Sequence, residues 1–234
     1  MYKRQDRITA DATYGNGIAN IDIIHGNTLF KAGNFGAEFL NRIIGRKIVE
    51  GGLFEAGGIY KNDIFNGEIS MQNTSFKGFA IVQNIIGLID TIPSLVMFRS
   101  PGLSGKGYEV KNGKIMLGLN TQYIALESID LIGKTMDVKG SGIIEVESSE
   151  VDIGLSISTL KSLTSVLNKI PIIGYLILGK DGKITTQVSI DGTLENPKSQ
   201  VSLAEDILSA PLNIIKRAFT PVDMLIDEVV KSID

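Results

Sequence analysis

The chain has no cysteine, no tryptophan and one histidine in 234 residues. The missing cysteine excludes a disulfide framework, a thiolate metal site and a cysteine nucleophile. His25 stands in a strand-turn segment, where a surface turn residue is the plain reading. A hydrolytic serine needs a nucleophile elbow, and no Gly-x-Ser-x-Gly occurs. Gly133-Lys134-Thr135 ends like a phosphate loop, but Ser128 occupies the first glycine position and no helix follows. It reads as a β-turn. Charge of one sign is also missing. Twenty-three Lys and Arg stand against 26 Asp and Glu, a net of −3 with no basic stripe, which argues against nucleic acid as a partner. The acidic cluster of Glu145, Glu147, Glu150 and Asp152 lacks calcium-loop spacing and reads as a solvated hairpin tip.

Long apolar runs are scarce. Residues 170–178 form one, too short for the roughly 20 residues that span a bilayer. Residues 76–97 are long enough, but Gln83, Asn84 and Asp90 are costly in hydrocarbon. The charged start, Met1 to Arg7, has no apolar stretch behind it and is not a signal peptide. Proline is sparse at 6 and aromatics make up 6%. Glycine is plentiful at 26 and suits tight turns and bulges between alternating segments.

What is present is period-two patterning. Residues 7–14 alternate Ile8, Ala10, Ala12 and Tyr14 with polar neighbours, and Gly15-Asn16-Gly17 signals a hairpin. Strands follow at 18–24, 27–31, 48–60 and 65–75, then a meander over 108–157 and a strand at 184–190. Helices are expected at 35–44 with Asn34 as N-cap and Gly45 at the end, at 76–97 with a break at Pro93, and at 159–168. Two amphipathic helices, 203–219 and 222–233, are expected to close the chain as caps. The whole reads as one domain over 1–234, mainly β with helices (α+β).

Such strands make a broad twisted antiparallel sheet with one apolar and one polar face. The apolar face must meet helices, another sheet or a ligand. Its inward rows are mostly Ile, Leu and Val, which fit acyl chains and an ordinary β core equally well.

One further pattern is more particular. Asn34-Phe35-Gly36, Gly51-Gly52-Leu53, Gly67-Glu68-Ile69-Ser70-Met71, Gly105-Lys106-Gly107-Tyr108 and Gly140-Ser141-Gly142 occur in order. Ile170-Pro171-Ile172-Ile173-Gly174 and Gly192-Thr193-Leu194-Glu195-Asn196-Pro197 follow. From Asn34 onward the chain resembles the AsmA-like C-terminal family, the AsmA, TamB and YhdP type. Members often carry Asp-Pro where Asn196-Pro197 stands here, and a turn accepts either. The resemblance implies an open β groove of the bacterial envelope that moves phospholipid between inner and outer membranes. It also implies a periplasmic location, anchored to the inner membrane through a segment absent from this chain.

The resulting expectation is a non-enzymatic lipid-handling module without a cofactor or metal. Acyl tails are expected along Leu117, Leu119, Ile124, Leu126, Val138, Ile144, Ile153, Leu155, Val188 and Ile190. Membrane contact is expected at Ile85, Ile89, Ile172, Ile173, Leu212, Ile215 and Phe219. The expected partners are a phospholipid or other acyl lipid, a membrane surface and an envelope protein. The alternative is a structural or protein-interaction β domain with a closed core, serving outer-membrane assembly.

Overall fold

A computed structural model describes residues 7–78, 80–91, 107–134, 136–159, 176–178 and 184–202. Their strands form one 13-stranded antiparallel sheet. The strands are β1 (Arg7–Tyr14), β2 (Gly17–Ile24), β3 (Asn27–Gly36), β4 (Val49–Glu50), β5 (Leu53–Lys61), β6 (Ile64–Phe76), β7 (Tyr108–Leu119), β8 (Tyr123–Gly133), β9 (Met136–Glu145), β10 (Val151–Thr159), β11 (Leu176–Leu178), β12 (Ile184–Gly192) and β13 (Pro197–Ser202). The order is sequential from β1 to β10, and β12 follows β10. β4 shares an edge of β6 with β5, and β11 and β13 share the outer edge of β12. The sheet is open: among the described residues β1 is hydrogen-bonded on one edge only. β6, at 13 residues, runs about 43 Å at 3.3 Å per residue.

Turn chemistry sets the registers. His25-Gly26 and Asn62-Asp63 both take positive φ and close two-residue hairpins, the backbone a type I′ turn needs. His25 is therefore a turn residue. Gly133 and Lys134 lie at the β8–β9 turn, where Lys134 pairs with Glu109 at 2.5 Å. Glu145 and Glu150 join across the β9–β10 hairpin through their backbones. At Gly192 φ is 88°, and an added Cβ would sit 2.7 Å from the Asn196 oxygen. That glycine is what lets the Gly192–Pro197 turn close.

Several boundaries differ from the sequence reading. β3 runs five residues past Lys31, to Gly36. Asn34 does not cap a helix. It takes φ 61° at a bulge and donates from Nδ2 to the Asn16 carbonyl at 2.8 Å. Phe35 then stays in the ladder opposite Phe54, and helix α1 (Ala37–Ile44) begins later, with Gly36 at its N-cap. Gly45 ends α1 in the left-handed region as expected. The strand at 48–60 is split by Gly51-Gly52, both at positive φ. Phe76 belongs to β6, where it pairs with Tyr108, so helix α2 (Ala80–Thr91) starts after it. Pro197 opens a strand rather than a turn into a helix, a position where its missing N–H costs little. Thr159, expected to start a helix over 159–168, ends β10, and the rest of that helix, the helices expected at 203–219 and 222–233, and the break at Pro93 lie outside the described residues.

The core lies between α2, α1 and the apolar face of β4–β13. Ile81 and Ile85 of α2 join Val49, Phe54, Met71, Tyr108, Leu131, Val138, Ile153, Leu155, Val188 and Ile190 in one cluster. Each fully buried aliphatic side chain contributes about 1.5–3 kcal/mol. Asn41 fastens α1 to β4: its Oδ1 accepts from the Ile48 and Val49 amides and its Nδ2 donates to the Val49 carbonyl. Asn84 of α2 donates to the Pro197 carbonyl at 2.9 Å, and Arg46 meets Glu195 at 2.5 Å. These contacts between residues over one hundred positions apart require the sheet to curl around α2.

Candidate functional site

Strand registers align the apolar side chains into rows across the sheet. One row is Ala12, Ala19, Ala32, Ala56, Ile69, Ile115, Ile129, Gly140, Leu155 and Val188. Beside it run Ala10, Ile21, Phe30, Gly58, Gly67, Leu117, Leu126, Gly142, Ile153 and Ile190. A third row joins Ile8, Ile23, Thr28, Tyr60, Phe65, Leu119, Ile124, Ile144 and Val151. All ten residues expected to line a groove stand on this face, with Val138 one row further along.

Exposure along this face is graded. Val188 and Ile190 are 1% and 0% exposed, whereas Leu119 is 39% and Ile8 is 65%. Val138, Ile153 and Leu155 are buried, and Leu117, Ile124, Leu126 and Ile144 are half-buried. This apolar face is thus covered at one end and open at the other.

Under α2 the cover is incomplete. A cavity of about 250 Å³ lies between Ile81, Val82 and Ile85 of the helix and the sheet. Its walls are Phe76, Tyr108, Ile115, Leu126, Ile129, Leu131, Met136, Val138, Ile144, Ile153, Leu155, Ile190 and Leu194, and they present only apolar surface. Gly140 and Gly142 keep the floor low. A Cβ on either would meet Leu155 or Ile153 within 2.6 Å. The one polar group in the wall, the Tyr108 hydroxyl, is turned to the Leu131 and Met136 carbonyls, and burial pushes its pKa up. It is already bonded, and among the described lining residues no other side chain carries a polar group.

The cavity gathers Leu126, Val138, Ile144, Ile153, Leu155 and Ile190 from the expected set, and leaves Leu117, Leu119, Ile124 and Val188 outside its walls. Ile85, expected at a membrane, is buried and faces the cavity, because the apolar stripe of α2 turns toward the sheet. Ile89 lies on the same helix. Ile172, Ile173, Leu212, Ile215 and Phe219 lie outside the described residues. Ile129 and Leu131 were not singled out from sequence. A bulge at Glu127-Ser128 shifts the alternation by one and returns them to the face of Leu126. The signal was the broken period: Ile124 and Leu126, then Ile129 and Leu131.

The opposite face is polar at many positions, with Lys114–Glu68 and Lys139–Asp130 pairs at 2.5 and 3.1 Å. It is not uniformly so. Ile59, Asn66, Gly118, Ala125 and Ile143 form a buried row there. An open hollow of about 560 Å³ on that face is lined by Asn16, Asn20, Lys31, Asn34, Glu55, Glu68 and Ser70 among others. Among the described residues no cluster of His, Asp or Glu suits a metal ion. Among them, too, no helix is long and apolar enough to cross a membrane.

A long, open antiparallel sheet with an apolar hollow under one helix defines a β-dominated, open-sheet protein. The chain belongs to the YhdP protein family: the family profile matches residues 5–199. This is a family of AsmA-type envelope proteins. No curated protein and no solved structure matches the chain.

Proposed function

We propose that this chain is a non-enzymatic lipid-binding module of the bacterial envelope, carrying acyl chains of phospholipid between the inner and outer membranes. It would act in the periplasm, held at the inner membrane by a segment outside this sequence. The observation that carries the reading is the wholly apolar cavity under α2, continuous in register with an open apolar face. Membership of an envelope family supports it.

The cavity size narrows the cargo. An apolar cavity of about 150 Å³ holds benzene, so one of about 250 Å³ takes on the order of ten carbons. That is part of one tail, not a whole phospholipid. Ten methylenes contribute about 8 kcal/mol, against roughly 4–15 kcal/mol for lost freedom on association. At the low end of that cost about 4 kcal/mol remains, a weak hold that lets the tail leave. Apolar contact is non-directional, so a tail can slide. The row of Ala12, Ala19, Ala32 and Ala56 gives it a shallow path outward beside the taller Ile21 and Phe30.

Purification followed by lipid extraction tests the reading. Folded protein should carry acyl lipid or take it up from vesicles, and failure to do either would remove the proposal. A second reading is a structural envelope domain with a closed core, favoured by the sealing of Ile153, Leu155, Val188 and Ile190. Leu117→Asp and Ile144→Asp separate the two. In a closed core both unfold the domain. In a groove both leave it folded and abolish uptake.

A further inference from the structure

Six consecutive residues at the end of α1, positions 42–47, are exposed. They read Arg42-Ile43-Ile44-Gly45-Arg46-Lys47. Ile43 is 67% and Ile44 48% exposed, although Ala37 and Leu40 of the same helix pack into the core. Gly45 turns the chain at φ 72° and brings two cations directly after the isoleucines. Four cations here, Arg42, Arg46, Lys47 and Lys77, face three acids, Glu38, Glu50 and Glu195, a net of +1. Glu195 takes Arg46, and Glu50 is shared between Lys47 at 3.9 Å and Lys77. Glu38 stands on the first turn of α1, while Arg42 lies over the Tyr14 ring at 5.9 Å. The Arg46–Glu195 pair is 65% and 70% exposed, so an outside anion competes with it readily.

We propose that this tip docks on an anionic lipid surface, with Ile43 and Ile44 entering the headgroup boundary and Arg42, Arg46 and Lys47 meeting lipid phosphates. Exposed isoleucines ringed by cations match the chemistry of such a surface. Each cation near it contributes on the order of five-fold to partitioning. A second copy of the chain is a poorer occupant. A two-fold contact would set the same cations against themselves. Docking does not depend on the acyl-chain reading, but it serves that reading. Leu194, next to Glu195, lines the cavity, so a docked tip holds that end of the cavity at the membrane.

Vesicle co-sedimentation with the full chain tests the proposal, using phosphatidylcholine vesicles with and without phosphatidylglycerol. The wild type should pellet with the anionic vesicles. Binding should fall at least ten-fold in Arg46→Gln/Lys47→Gln and in Ile43→Ser/Ile44→Ser, and should weaken in about 1 M salt, where the Debye length is about 3 Å. Unfolding midpoints should stay unchanged, since these side chains are exposed. Uptake of a soluble fluorescent fatty acid, measured without vesicles, should also stay unchanged, which separates failure of docking from failure of the cavity. Equal binding to neutral vesicles, unaltered binding by both variants, or a dimer that the Ile43→Ser/Ile44→Ser change dissolves would each overturn it.

Discussion

The two ends of this sheet carry the same apolar pattern and treat it differently. At β9–β12, Val138, Ile153, Leu155, Val188 and Ile190 are almost free of water under α2 and its neighbours. At β1–β3, Ile8 and Ile21 continue the same rows but remain 65% and 39% exposed. One open-end row is all alanine, Ala12, Ala19 and Ala32, beside the larger Ile21 and Phe30, while the covered end mixes Ile, Leu and Val with Gly140 and Gly142. The difference teaches that register alone makes a continuous hydrocarbon-compatible surface, and that packed helices decide which part of it is core. Under α2, at the covered end, aliphatic walls enclose space without filling it.

The comparison can be broken most forcefully at the covered end. Ile190→Asp buries an unpaired carboxylate at a position with no exposure, and should cost more than about 4 kcal/mol or prevent folding. Ile21→Asp, in the same row at the open end, should stay within about 0.5 kcal/mol of wild type. Urea denaturation compares the two. Equal losses would mean that the open end is covered in solution. The next largest effect belongs to the anchor between the halves. Phe35 is buried, stacks on Phe39 at 4.2 Å, and has its ring where a Gly17 Cβ would stand, 2.4 Å away. Phe35→Ala should cost about 3 kcal/mol, and Gly17→Ala about 1–2 kcal/mol by displacing the ring. Hydrogen exchange should place both losses in β1–β3 and α1.

The smallest effect is electrostatic and lies at the open end. The Arg7 guanidinium, hydrogen-bonded to Asp22 on the neighbouring strand, holds that carboxyl below its ordinary value. A depressed folded pKa stabilises above the unfolded pKa, and that gain disappears as pH falls through the folded value. Asp22→Asn should therefore flatten the loss of β1–β2 protection on acidification below the ordinary carboxylate range, without changing it at neutral pH beyond the loss of the pair. The Arg7 side of the pair is solvent-exposed, so salt should shrink the difference.

Much of the sheet was legible because period two and turn residues are local signals. Arg7–Tyr14 was read to the residue, and the Gly192 to Pro197 turn was read from its glycine and proline. What was not legible depended on partners distant in sequence. Asn34 looks like a helix cap in isolation, but the Asn16 carbonyl recruits its side chain and the Phe35–Phe54 pairing extends the strand. The apolar face was legible as a face. The cavity was not, because its walls include Leu194 and Tyr108, and because the β8 bulge returns Ile129 and Leu131 to the same side after an off-period step. The strand of Pro197–Ser202 was missed because its partner, β12, supplies the ladder that its own short polar sequence does not announce.

One titration tests the cavity most directly. Val82 points from α2 into the cavity, and Val82→Trp should fill that space at a cost of about 1–3 kcal/mol. A fluorescent fatty acid added to the wild-type chain should bind saturably at one site, and the filled variant, still folded by circular dichroism, should lose at least ten-fold in affinity. Absence of saturable binding by the wild type, or equal binding by the filled variant, would contradict the claim that this cavity receives hydrocarbon.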